Sequence, residues 1–359
     1  MSHVSRLLSI FAKMQSALDK KFLQLAGITL VLLYLVIMAG SVVRATGSGM
    51  GCPDWPKCFG YYIPPTNPSQ VEFHANQSYE KGMMIIVNDT LWRATSAFNS
   101  GNSFDRANWE KYPVHDYAKF FVRQTWTEYI NRLIGATNAL ALMLLLVIAL
   151  LRIKKDKLTF FVLVAGMCVM AFVIWLGAVV VNTNLAPQKI TFHMMSSLAL
   201  LSVVIYTRNR VSILSGNITK FIVNKKLRVI LIAALVLTVV QIIFGTQVRQ
   251  QIDTINKNMD GLSRETWISQ LNSIYPVHQI IAVMVVLLNG TLFFLFTKTK
   301  PQGKTKILVY ALLLIMLAEY GVGVFIHNFS IPAFAQPVHL MLAMILFGVQ
   351  FGLIVRTKA

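Results

Sequence analysis

Eight apolar runs, each about long enough to cross a membrane, fix what this chain can become. They lie near 23–43, 129–151, 158–181, 190–207, 228–248, 276–297, 307–327 and 337–355. Spanning the hydrocarbon takes about 20 residues, and the fourth run only just suffices. Lipid offers the backbone no hydrogen bonds, so each spanning segment must satisfy its own as a helix. The prediction is an all-α membrane protein with eight transmembrane helices. Composition agrees: only 13% of the 359 residues are charged, against about a quarter in a soluble domain. Residues 1–22 are basic and weakly amphipathic (Arg6, Lys13, Lys20, Lys21). They do not read as a signal peptide, because no small-residue cleavage site follows the first apolar run.

The basic residues set the orientation. Four stand in the N-tail, and Arg152, Lys154, Lys155 and Lys157 stand between runs two and three. Arg208, Arg210, Lys220, Lys225, Lys226 and Arg228 fill the link between runs four and five. Lys298, Lys300, Lys304 and Lys306 lie between runs six and seven, and Arg356 and Lys358 in the C-tail. The only acids on this side are Asp19 and Asp156. The positive-inside rule makes it the cytoplasmic side, with both termini there, in a cell (inner or plasma) membrane. The net charge of +19 is therefore an orientation and lipid-surface signal, and nucleic-acid binding is excluded. One loop, 44–127, is long and faces outward. Its length predicts a small cap, and its Asn-Asp, Gly-Asn and Pro punctuation predicts turns rather than long helices.

A repeat is written into the runs. Each odd-numbered run has Gly with Val three residues later: Gly40–Val43, Gly177–Val180, Gly245–Val248 and Gly321–Val324. Runs one and five extend it to Gly-Ser-Val-Val-Arg44 and Gly-Thr-Gln-Val-Arg249. The even runs open on Glu128-Tyr-Ile-Asn131-Arg132, Phe192-His193, Tyr275-Pro-Val-His278 and Pro337-Val-His339. Any one Gly–Val pair is ordinary in a membrane helix, but four in phase with the histidines are not. The chain reads as two parallel four-helix bundles. The N-tail is 1–22, the first half 23–207 with its outer loop 44–127, the cytoplasmic linker 208–227 and the second half 228–359.

His278 and His339 fall at matching depths near the outer face. Two imidazoles from facing helices of a bundle can hold a heme iron from both sides, and ionisable groups inside membrane helices point to function. Either histidine alone could merely cap a helix end. In the first half His193 matches His339, but Asn131, a poor iron ligand, stands where His278 would be. That leaves an open face, as suits chemistry, or a half that has lost its heme. Glu128, one turn before Asn131, could move protons or stabilise a cation; the plainer reading is an acid at a solvated helix start. Arg44, Arg249 and Arg132 at helix ends could neutralise heme propionates or touch lipid headgroups. The repeated glycines would let a flat macrocycle approach. Cys52 and Cys58 lie outside, where a disulfide persists, structural or redox-active. Cys168 reads as a packed small apolar residue, Glu319 and His327 as weaker signals, and His74 and His115 as loop surface.

Together these features resemble the heme A synthase family: two four-helix halves, the outer cysteine pair, the acidic start of helix two and histidines on the even helices. The resemblance covers most of the chain. It implies oxidation of the C8 methyl of heme o to the formyl of heme a, for terminal oxidase assembly. It implies a heme b cofactor in the second half on His278 and His339, near Arg249. It implies substrate heme o in the first half beside His193, Asn131, Arg132 and Arg44, with Glu128 catalytic. Cys52 and Cys58 match the family's outer-loop pair. A heme o synthase and an electron donor are the implied partners in the bilayer. The family pattern at helix two usually ends His-Arg, where this chain has Asn131-Arg132, and the 61–126 stretch is also a departure. Two other classes compete. A non-enzymatic b-type cytochrome would carry bis-histidine hemes only, and a transporter would break helices at mid-membrane.

Overall fold

The computed structural model describes residues 3–112, 119–182, 187–259 and 262–358. Its helices are α1 (His3–Ala45), α2 (Val122–Leu151), α3 (Lys157–Asn182), α4 (Pro187–Leu214), α5 (Lys225–Asn258), α6 (Ile274–Lys298), α7 (Gly303–Asn328) and α8 (Ala335–Arg356). Each of the 8 is long and apolar enough to cross a membrane, so the chain is a multi-pass membrane protein. None is interrupted at mid-span, unlike the broken helices a transporter would show.

The helices close into two rings. α1 packs on α2, α2 on α3, α3 on α4 and α4 back on α1; α5 to α8 repeat the circuit. The rings join where α1 and α4 meet α8, and α4 meets α5. Leu33, Leu142, Leu145, Leu163 and Leu201 are buried in the first core, and Leu231, Leu292, Phe296, Val309 and Leu353 in the second. Apolar burial alone does not drive helices together in lipid, so close packing and polar ties carry the association. One such tie is fully internal: Gln350 Nε2 donates to Asn289 Oδ1 (2.8 Å) and Thr238 Oγ1 (3.0 Å), joining α8 to α6 and α5.

Helix ends differ from the sequence reading. α5 runs ten residues past its expected end at 248, to Asn258. Polar residues hid a helical stripe there: Val248, Ile252 and Ile255 pack with Trp267 and Ile331. At the end where α2 hands over to α3, Asp19 and Asp156 are both consumed in ties between helices. Asp19 holds Arg152 (2.7 Å) and Lys155 (2.5 Å), and Asp156 holds Arg210 (2.9 Å). Arg152 is fully buried beneath Phe22. Asp19→Ala therefore strands a buried cation and is expected to cost about 3–5 kcal/mol, read as a lowered thermal transition in detergent. The linker adds β6 (Phe221–Ile222), which pairs in parallel with β7 (Thr357–Lys358).

The long loop 44–127 contains strands that the sequence reading did not expect. β1 (Ser78–Tyr79) pairs with β4 (Phe98–Asn99), while β2 (Met84–Val87), β3 (Thr90–Ala94) and β5 (Trp109–Lys111) form an antiparallel sheet. The Asn-Asp pair is the hairpin turn between β2 and β3. Asn88 (φ 49°) and Asp89 (φ 53°) both take the left-handed backbone that such two-residue turns need. Tyr79, Ile85, Ala94 and Trp109 form the cap's own core. His74 is on its surface, its Nε2 2.7 Å from the Ser69 carbonyl. His115 lies outside the described residues.

Candidate functional site

Each of the four marked positions on the even helices faces a glycine of an odd helix. A Cβ placed on Gly40 would lie 3.7 Å from Asn131 Oδ1, and one on Gly177 3.7 Å from His193 Cε1. Gly245 and Gly323 are tighter, each 3.2 Å from Cε1 of His278 and His339 respectively. The sequence pattern pointed to Gly321, but a Cβ there meets nothing, and Gly323 is the residue on the histidine. The Gly–Val spacing misled because α7 carries two glycines close together, Gly321 and Gly323, and only the second meets the histidine. Asn131 Oδ1 and the Nδ1 atoms of His193, His278 and His339 are all buried without a hydrogen-bond partner. Buried polar atoms are normally paired, and exceptions call for a reason.

The His278 and His339 rings stand 6.5 Å apart, centre to centre, and nearly perpendicular at 81°. An iron held at about 2 Å by one nitrogen of each imidazole puts ring centres roughly 6 Å apart. Among the described residues, no three His, Cys, Asp or Glu side chains converge as a bare ion would require. Two opposed imidazoles with glycines opposite them are a donor set suited to the iron of a flat macrocycle. In the first half the pair is His193 with Asn131, one good donor and one poor one. Filling a glycine should test the cradle. Gly245→Leu is expected to leave helix content unchanged by circular dichroism, while pigment bound per protein falls by well over half.

Glu128 is not at a solvated helix start. α2 begins at Val122, and Glu128 is only 4% exposed. Its Oε2 accepts from the Cys52 backbone N–H (3.0 Å), and its Oε1 from Arg132 Nη2 (2.5 Å). Arg132 Nη1 also donates to the carbonyls of Asp54 and Lys57, both at 2.9 Å. Thr125, one turn earlier, donates to the Gly51 carbonyl at 2.8 Å. Thr125, Glu128 and Arg132 thus form one face of α2 on which the 51–58 loop is seated. A Cβ on Gly51 would meet the Gln124 backbone at 2.6 Å, so only glycine lets the loop sit this close. Cys52 and Cys58 are joined as a disulfide in this loop, and both are buried. Burial also lifts the Asp54 carboxyl above the ordinary range, although the Gly60 and Phe59 backbone and Arg132 oppose it.

Arg44 and Arg249, from equivalent places in the two halves, meet on one carboxylate. Asp253 takes Arg44 on Oδ2 (2.6 Å) and Arg249 on Oδ1 (2.6 Å). Sequence reasoning missed Asp253 because it ended helix five before it. The signal was its place one turn after Arg249. This cluster keeps one uncompensated positive charge where the rings of helices join. His327 Nδ1 is paired with the Tyr275 hydroxyl at 2.7 Å. Cys168 is exposed on α3 rather than packed inward, so in the membrane it faces lipid.

The COX15-CtaA pattern, described as cytochrome oxidase assembly protein, matches residues 24–97 and 102–351. A heme A synthase of Shewanella oneidensis is 42% identical over 52 residues, covering 14% of this chain and 16% of that protein. A heme A synthase of Rickettsia prowazekii is 21% identical over 345 residues, covering 90% of this chain and 93% of that protein. The match over most of the chain, on a fold of eight spanning helices, makes this protein a member of the COX15-CtaA family of cytochrome oxidase assembly proteins.

Proposed function

We propose that the protein is a heme A synthase, an oxidoreductase that converts the C8 methyl of heme o to the formyl of heme a. The observation that carries this is the pairing of a two-histidine site in one half with a one-histidine site in the other. His278 and His339 would hold a heme b in the second half, which would supply electron-transfer chemistry there. Substrate heme o sits in the first half with His193 on one face. Asn131 is too weak a donor to close the other face, so that face stays free for reaction. Glu128 is placed to hold or release a proton at Oε1 or Oε2 near that site. Arg44 and Arg249, sharing one carboxylate, have charge left over for the propionates of the two macrocycles. Gly40 and Gly177 leave room for the substrate's flat ring, while lipid takes its hydrophobic tail.

The lysine and arginine distribution supports both termini facing the cytoplasm of an inner or plasma membrane, with both heme sites near the outer face. A heme o synthase would supply the substrate, and an oxidant together with an electron donor would complete the step. The test is expression in cells that make heme o but lack their own heme A synthase. Heme a in the membranes and a restored heme a oxidase spectrum are the results this reading predicts. Membranes that keep heme o and gain none of the product would contradict it.

A further inference from the structure

The two halves share their glycine-facing ligand positions but differ one helical turn away. On a helix, residues four apart share a face. One turn before Gly245 stands Gln241, whose Nε2 is 3.3 Å from His278 Nε2. One turn before Gly323 stands Glu319, whose Oε1 is 3.1 Å from His339 Nδ1. The same place before Gly40 and Gly177 holds Val36 and Val173. Both histidines of the second half therefore have a polar neighbour on the helix opposite. The corresponding positions facing Asn131 and His193 are apolar.

We infer that Glu319 is a positioning residue for His339 and makes it a stronger-field, lower-potential ligand than the first half can form. The inference rests on the heme reading above. An acceptor at Nδ1 of a ligating histidine fixes its tautomer, leaves Nε2 for the metal and raises its basicity. The Nδ1–H is not yet aimed along the 3.1 Å contact, since Nδ1 has no satisfied hydrogen bond. The ring's orientation, and not the distance, separates this contact from a hydrogen bond. A carboxylate this close also favours the more positive, oxidised state of the site, because the charges interact with little water between them.

The plainer alternative is that Glu319 only ties α7 to α8. Its other oxygen, Oε2, is buried with no partner. An acid left half-satisfied inside a membrane helix is a poor choice for a tie that a glutamine or serine makes at lower cost. An apolar residue serves at the matching position of both helices in the first half. Function toward the histidine accounts for the carboxylate, and packing does not.

The test is an optical redox titration of the full-length protein, purified in detergent with its heme b, for wild type, Glu319→Gln and Gln241→Glu. Glu319→Gln keeps the shape and an oxygen acceptor but removes the charge. It is expected to hold wild-type amounts of heme b with a raised midpoint potential. Gln241→Glu places a carboxylate beside His278 and is expected to lower it. If Glu319→Gln does not fold, Glu319→Ser is titrated in its place, with the same raised midpoint expected and an unmoved one overturning the role. Heme b bound with an unmoved midpoint in the variants that fold overturns the role of Glu319 and leaves the heme reading standing. Wild-type protein with no heme b overturns both.

Discussion

Replacing His278 or His339 with alanine is expected to remove the low-spin heme spectrum almost completely. The two rings are set at the spacing a shared iron needs, each opposite a glycine. Losing one imidazole leaves a single-ligand site like that of His193 and Asn131, whose spectrum would be high-spin or absent. The change is local, because neither ring belongs to the two buried helix cores. Helix content should therefore hold while pigment is lost. An unchanged spectrum in either variant would place the ligands elsewhere.

Glu128→Gln is expected to lower heme a formation by roughly 10²–10⁴-fold, the range for a general acid or base, while the heme b spectrum persists. Alanine would be the blunter change. It would leave the Cys52 N–H and the Arg132 guanidinium without their acceptor and would loosen the 51–58 loop as well. Glutamine keeps an oxygen toward Cys52 but turns an amide N–H toward Arg132, which still holds the Asp54 and Lys57 carbonyls, so it disturbs the loop less than alanine while removing the titrating proton. Product formed at the wild-type rate by Glu128→Gln would end the catalytic role and leave Glu128 as the seat of the loop.

The spans were legible because lipid demands long apolar helices, and that signal survives without any partner sequence. The register of His193, His278 and His339 was legible because the repeat puts each at the same helix depth. Other features were written in contacts that local sequence does not show. Asp253 lies beyond the last apolar turn of α5, where the pattern turns polar although the helix continues. Gly323 competes with Gly321 two residues away, and only the rotation of α7 decides between them. Thr125 draws no notice, and Arg132 reads as a propionate or headgroup contact, until the 51–58 loop is folded onto them. The cap strands are two to five residues long, too short for alternation to stand out. Glu319 stood out as an acid in an apolar run, but its partner is on the next helix.

The most direct test of the central claim is extraction of pigment from the purified protein, co-expressed with a heme o synthase, followed by chromatography of the hemes. The account predicts heme b together with heme a or a hydroxylated heme o intermediate, which would also show that Asn131 serves at the substrate site. Heme b alone, with heme o unconverted in the same membranes, would contradict it and leave a b-type cytochrome.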